Sequence, residues 1–208
     1  MFERTLSKLA KNSLAVLGRS KLLKEAYLAG GSALALHLGH RYSLDFDFFT
    51  QKHFDSETFA KQLKKIGNFQ KSQLLDDTIL GIFNTVKFSL FHYDYPLIAK
   101  LHDFLRIKIA DPKDIAAMKL ESIVGRGNKR DFIDLYFLAQ KYQLEEIFSF
   151  YNQKYKILAN EIYTILKAIS FFADAEKTQM PKMIKKVSWS KIKRFFEKEA
   201  VRLGKKYL

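Results

Sequence analysis

Between residues 27 and 49 the chain passes from a short apolar run, Tyr27-Leu28-Ala29, through Gly30-Gly31-Ser32 into a stretch of helical character. It then reaches Leu44-Asp45-Phe46-Asp47-Phe48-Phe49. From Leu44 to Phe48 apolar and acidic residues alternate, the period of a strand with one buried face. Leu44, Phe46 and Phe48 are therefore expected in a core, with Asp45 and Asp47 together on the other face. Their α-carbons then stand roughly 6.5–7 Å apart, a spacing at which two carboxylates can hold hard divalent cations against substrate phosphates. The glycines ahead of them let backbone approach phosphates closely, and the free amides of the following helix attract anions. Strand, glycine turn, helix and acidic strand together specify an α/β unit with a nucleotide-type site.

At 208 residues, 48% hydrophobic and 14% aromatic, the chain is long and apolar enough to fold as one domain or as a core with an appendage. No run of 18 uninterrupted apolar residues is present, and the first residues lack the pattern of a signal peptide. A membrane-spanning segment is not expected. Cysteine is absent, which removes disulfides and thiolate metal sites and fits a cytoplasmic protein. The net charge of +14 is uneven: Lys177 to Leu208 carry eleven Lys or Arg against Glu197 and Glu199, a net +9. Such an excess at one end points to RNA or to an acidic protein partner, a solvated basic helix being the plain alternative.

Phe2, Leu6, Leu9, Leu14 and Leu17 have helical spacing, predicting one or two amphipathic helices over 2–24. A strand at 26–30, a helix at 32–39 and a strand at 43–49 follow. Asp55-Ser56-Glu57 opens a helix ending near Gly67, and 68–75, 78–84 and 85–93 alternate as strands. From Asp111 the chain reads as helical, with Asp111 as N-cap, Pro112 at the first position and Asp114 in the first turn. Gly125-Arg126-Gly127-Asn128 breaks this helix, and others are predicted at 129–142, 144–155, 157–173 and 189–203, with a linker at Pro181.

This pattern resembles the nucleotidyltransferase superfamily built on the DNA polymerase β palm, with its Gly-Ser turn and Asp-x-Asp strand. More closely, Gly30 to Leu36, His40-Arg41 and Asp45-Phe46-Asp47-Phe48-Phe49 resemble the first motif of the AbiEii/AbiGii toxin family. The block from Asp114 through Lys119 and Arg126 to Asp131-Phe132-Ile133-Asp134 resembles its second signature. The resemblance implies an α/β (α+β) fold, with a palm of mixed sheet and helices at 1–110 and a helical domain with a basic end at 111–208. It further implies transfer of a nucleoside monophosphate from a nucleoside triphosphate to a hydroxyl, with Mg²⁺ or Mn²⁺, and a toxin neutralised by a cognate antitoxin. Because some members modify tRNA, tRNA is the leading acceptor.

By this resemblance Asp45 and Asp47 bind metal, while Gly30, Gly31 and Ser32 receive the phosphates, a serine in that place serving equally as a helix N-cap. Lys119 is assigned to the triphosphate and, with Ser122 and Arg126, forms a cationic strip; the alternative is a solvated lysine. Asp131 and Asp134 share a helix face and line the site, or else only stabilise a helix N-terminus; Arg126 is a candidate partner of Asp131. His40-Arg41 matches the family, His40 as a structural hydrogen-bonder, and His37, His40 and His53 lack metal-ligand spacing. The superfamily's third carboxylate is missing: Ser89 occupies the polar face of strand 85–93 near its expected place. Either two aspartates suffice, or another acid such as Asp94 reaches in, or catalysis is weak. Two rival readings remain, a catalytically degenerate palm that binds RNA or protein, and a metal-dependent nuclease using the same aspartates.

Overall fold

Two strongly alternating strands, β2 (Asp45–Thr50) and β5 (Val86–His92), lie side by side in parallel at the centre of a seven-stranded sheet. Phe46, Phe48, Phe88 and Leu90 point to one face and are buried there, with the rings of Phe48 and Phe88 in contact at 5.5 Å. The computed structural model describes residues 1–208, which divide into two units, Met1–Asp111 and Pro112–Leu208.

In the first unit a short 3-10 turn at Glu3–Thr5 precedes α1 (Lys8–Ser20), whose Ser7 accepts the amide of Ala10 as N-cap. The chain continues through β1 (Tyr27–Ala29), α2 (Gly30–Leu38), β2 and α3 (Ser56–Ile66), the last capped by Asp55 as its sequence implied. β3 (Phe69–Leu75), β4 (Thr78–Phe83) and β5 form an antiparallel meander, and β6 (His102–Phe104) and β7 (Ile107–Ile109) a short hairpin. Strand order is β3-β4-β5-β2-β1-β7-β6, with β1 antiparallel to β2 and parallel to β7.

Three expectations change here. β2 begins at Asp45, so Leu44 lies outside it and is 66% exposed instead of entering the core. Leu6, Leu14 and Leu17 are buried, but Phe2 and Leu9 are exposed: Phe2 lies ahead of the helix, which starts at Lys8, and Leu9 lies off the helix face that buries Ala10, Ser13, Leu14 and Leu17. Strands β6 and β7 carry three residues each, too short to show a period, and exist through pairing with each other and with β1.

The second unit contains α4 (Pro112–Gly125), α5 (Lys129–Leu138), α6 (Leu144–Tyr155), α7 (Leu158–Ile169), α8 (Ala173–Glu176) and α9 (Trp189–Tyr207). Helix α4 packs against α5, α6 and α7, which explains why it is apolar on nearly every side. The helix expected over 157–173 stops at Ile169, where Ser170 turns its hydroxyl back onto the carbonyls of Leu166 and Lys167. Helix α5 is likewise shorter than its predicted span, and α9 longer. Helix α9 buries Ile192, Phe196 and Leu203 on one face. On the far side Lys191, Arg194, Lys198 and Lys205 are exposed, at spacings that form one stripe along the helix. No helix is long and apolar enough to cross a membrane.

Candidate active site

Two pairings fix the surroundings of Asp47. Antiparallel pairing of β1 with β2 sets Ala29 opposite Asp47, so the Gly30-Gly31 turn begins beside this carboxylate. Parallel pairing of β2 with β5 sets Ser89 opposite Asp47 on the other side. The Ser89 hydroxyl donates to Asp47 Oδ1 at 2.7 Å. Toward the turn, Gly30 has φ +62°, and a Cβ there would lie 2.8 Å from Asp47 Oδ2. A Cβ on Gly31 would strike the guanidinium of Arg41, which is buried against the turn. The glycine pair is thus explained by a left-handed backbone at the first position and close side-chain approach at both.

Asp45 and Asp47 share the half-buried face of β2, as the alternation implied. Beside them a cavity of about 350 Å³ opens over the sheet, lined by both aspartates with Ser72, Ile82, Lys87 and Phe91. Lys87 stands opposite Asp45 in the parallel register. Ser32 is buried and its hydroxyl donates to the carbonyl of Asp45, so the serine ties the start of α2 to the start of β2. Amides in the first turn of a helix have no intrahelical acceptor, and those of α2 begin at the residue whose missing side chain makes room for Asp47. His40 is wholly buried, consistent with a structural role. Asp94 lies beyond β5 and acts electrostatically on His53, at the opposite end of that strand from Lys87.

In the second unit the structure brings Lys119, Asp131 and Asp134 together. The lysine Nζ lies 2.8 Å from Asp131 Oδ1 and 2.8 Å from Asp134 Oδ2, all three side chains being buried. Arg126 Nε approaches Asp131 Oδ2 at 3.6 Å while its side chain stays largely exposed. The strip of Lys119, Ser122 and Arg126 is therefore not a bare cationic face. Its lysine is neutralised by two carboxylates, and Ser122 bonds back to the Met118 carbonyl. Asp114, expected as a first-turn acid, forms a fully buried ion pair with Lys154 at 2.9 Å. Nothing local in the sequence signals that pair, since its members are 40 residues apart. The basic C-terminal segment is also partly matched within the unit: Lys193 pairs with Glu176, and Arg202 and Lys206 with Glu145.

The chain is similar to known proteins over most of its length. The model of the family described as nucleotidyl transferase AbiEii toxin, type IV TA system, matches residues 13–98 and 80–200. An uncharacterised protein of Aquifex aeolicus (strain VF5) is 35% identical over 202 residues, covering 94% of this chain and 96% of that protein. JHP933 from Helicobacter pylori superposes with a TM-score of 0.57 at 19% identity, over 97% of this chain and 94% of that one. The nucleotidyltransferase toxin MenT4 from Mycobacterium tuberculosis H37Rv gives 0.55 at 12% identity, over 93% and 84%. At such identities the structural likenesses speak for the fold, which is the polymerase β-like α/β class expected from the sequence.

Proposed function

This chain belongs to the AbiEii family of nucleotidyl transferase toxins from type IV toxin–antitoxin systems, and from that premise we propose that it transfers a nucleoside monophosphate from a nucleoside triphosphate to a hydroxyl of tRNA. The observation that carries the reading is the seat of Asp47, held by Ser89 on one side and left open by the missing side chain of Gly30 on the other. In the reaction the acceptor oxygen attacks the α-phosphorus. The new P–O bond forms as the bond to the bridging oxygen breaks, and pyrophosphate departs.

Asp45 and Asp47 suit a hard cation such as Mg²⁺ or Mn²⁺, being two carboxylates on one strand face with no Cβ crowding the second. When bound, the cation offsets the charge of the triphosphate and of the attacking and leaving oxygens. Backbone amides at the start of α2 meet phosphate oxygens, with Gly30 and Gly31 permitting the approach. Ser32 keeps that turn in register with β2. Of the second cluster, Arg126 presents the exposed cation to an anionic ligand, and Asp131 and Asp134 position Lys119. The exposed stripe of Lys191, Arg194, Lys198 and Lys205 contacts the phosphates of the acceptor RNA. A cognate antitoxin is the expected protein partner of a chain from this family.

Ser89 favours one second reading. A neutral hydroxyl stands opposite Asp47 where the superfamily pattern has an acid, as in a palm that binds nucleotide and RNA without turnover. Incubating the purified protein with each α-labelled nucleoside triphosphate, Mg²⁺ and total tRNA separates the two. Label is expected in tRNA with the wild type and not with Asp45→Asn or Asp47→Asn. Undiminished labelling by a well-folded Asp47→Asn variant would remove the metal-site assignment. Nucleotide binding with no labelling by the wild type would establish the second reading.

A further inference from the structure

The ends of β2 and β5 lie side by side, with Thr50 opposite His92. The segment leaving β2 carries His53, and the turn between β3 and β4 brings Asp77 to the same place. Asp77 adopts φ +55° and is fixed on three sides. Its carbonyl accepts the amide of His92 at 2.9 Å, its Oδ1 the amide of Phe54 at 2.6 Å, and its Oδ2 lies 2.5 Å from His53 Nδ1. The rings of His53 and His92 stack with centroids 4.0 Å apart and planes at 23°. One ligand atom from each of His53, Asp77 and His92 lies within 4.8 Å of the others.

We propose that His53, Asp77 and His92 form a binding site for a zinc-class divalent cation, separate from the Asp45–Asp47 pair. Two imidazoles and a carboxylate are the donors that zinc and its neighbours in the first transition row accept, whereas Mg²⁺ requires oxygen ligands throughout. Ligand atoms around a tetrahedral zinc stand roughly 3.3 Å apart, so the widest separation in the cluster closes by at most about 1.5 Å, and the 2.5 Å contact of His53 Nδ1 with Asp77 Oδ2 opens if both atoms ligate. His53 can supply that movement, because its side chain is 78% exposed and its neighbours in the site are the other two ligands, His92 in the ring stack and Asp77 in the hydrogen bond. Asp77 need not move, its second oxygen being anchored by the Phe54 amide. Three protein ligands leave a fourth position to water. Bound there, the cation ties the β3–β4 turn and the segment after β2 to the end of β5.

The test is titration of untagged, chelator-stripped full-length protein with Zn²⁺ against a chromophoric chelator, together with the visible spectrum of the Co²⁺ form. One equivalent is expected, with the intense absorption of four-coordinate Co²⁺. His53→Ala, His92→Ala and Asp77→Asn should each weaken binding by about tenfold or more. Asn keeps both the turn conformation and an acceptor for the Phe54 amide, so its loss of affinity reports on ligation and not on folding. The doubly substituted Asp45→Asn/Asp47→Asn protein should bind Zn²⁺ as the wild type does. Zinc affinity unchanged by His92→Ala, or abolished by the Asp45→Asn/Asp47→Asn pair, would overturn the proposal.

Discussion

Replacing Gly30 by alanine isolates what the turn does for the active site. The residue has φ +62°, a conformation that costs a side-chain-bearing residue ~1–2 kcal/mol. Alanine restricts the unfolded chain and returns ~0.4–1 kcal/mol, so a net destabilisation of about 1 kcal/mol is expected from the backbone. The local effect is larger in consequence. The new Cβ would lie 2.8 Å from Asp47 Oδ2, short of ordinary contact by about 0.5 Å. The carboxylate must give way, and its other oxygen is held by Ser89 at 2.7 Å, so the movement also strains that hydrogen bond.

A misplacement of 1 Å in a catalytic group can cost about 10²-fold in rate. Half that distance, with the Ser89 bond disturbed, leads to an expected loss of ~10- to 100-fold in kcat. Urea unfolding followed by circular dichroism gives the stability term, and transfer of label from an α-labelled nucleoside triphosphate gives the rate. The reasoning requires the two to separate: a modest stability change beside a large rate change. A Gly30→Ala protein with the wild-type rate would show that the position of the Asp47 carboxylate does not govern turnover, refuting the assignment. Gly31→Ala serves as comparison, since its Cβ meets the guanidinium of Arg41 instead.

Three further outcomes follow from the second unit. Lys154→Met removes the ion-pair partner of Asp114, a carboxylate at 0% exposure, and should cost ~3–5 kcal/mol in urea unfolding, most of it recovered when Asp114→Leu is added. A single substitution costing under about 1 kcal/mol would contradict this. Glu145 accepts two hydrogen bonds from Arg202, at 2.6 and 2.8 Å, and these hold its carboxyl down at about 2. A depressed carboxyl stabilises the fold above its unfolded value and loses that effect as pH falls, here between about 4.5 and 2. With Arg202 44% exposed, the contribution is expected to be about 1–2 kcal/mol, absent from Glu145→Gln in denaturation series at pH 6 and pH 2.5. Reversal of Lys191, Arg194, Lys198 and Lys205 to Glu should weaken tRNA binding and flatten its dependence on salt, because fewer counterions are released. An unchanged salt slope would remove α9 from the RNA contact.

The fold was legible wherever neighbours in sequence carry the signal. Period-two alternation placed β2 to β5, and Asp55 before Ser56-Glu57 marked the start of α3. The Gly-Gly turn announced the β1–α2 junction, although the reason for two glycines emerged only from the packing of Asp47 and Arg41. Leu44 was misread because a period shows which residues share a face but not where a strand begins. β6 and β7 were missed because a three-residue strand has no period at all, and long-range pairing alone stabilises it.

Charge is where the sequence says least, and for one physical reason. A lysine on a helix reads as solvated or as a ligand for phosphate, because its neighbours in sequence say nothing about burial. Lys119 proves to be buried between Asp131 and Asp134, and Lys154 against Asp114. Neither charge is tolerable in an apolar interior without its partner, and in each case the partner comes from a different helix. The same applies to the excess at the C-terminal end. Ion pairs to Glu145 and Glu176 use part of it to hold α9, so the net charge of the segment overstates the cation available to a ligand. What remains outward on α9 is the stripe on the face opposite Ile192, Phe196 and Leu203, with Lys182, Lys185 and Lys186 exposed ahead of the helix. Helical periodicity applied to the charges separates Lys193 from the register of Lys191, Arg194, Lys198 and Lys205, but not Arg202, which falls in that register and is nonetheless taken up by Glu145 and Glu199. A ligand approaching α9 meets that stripe, so the charge it finds on the helix is smaller than the basic residues of the segment suggest.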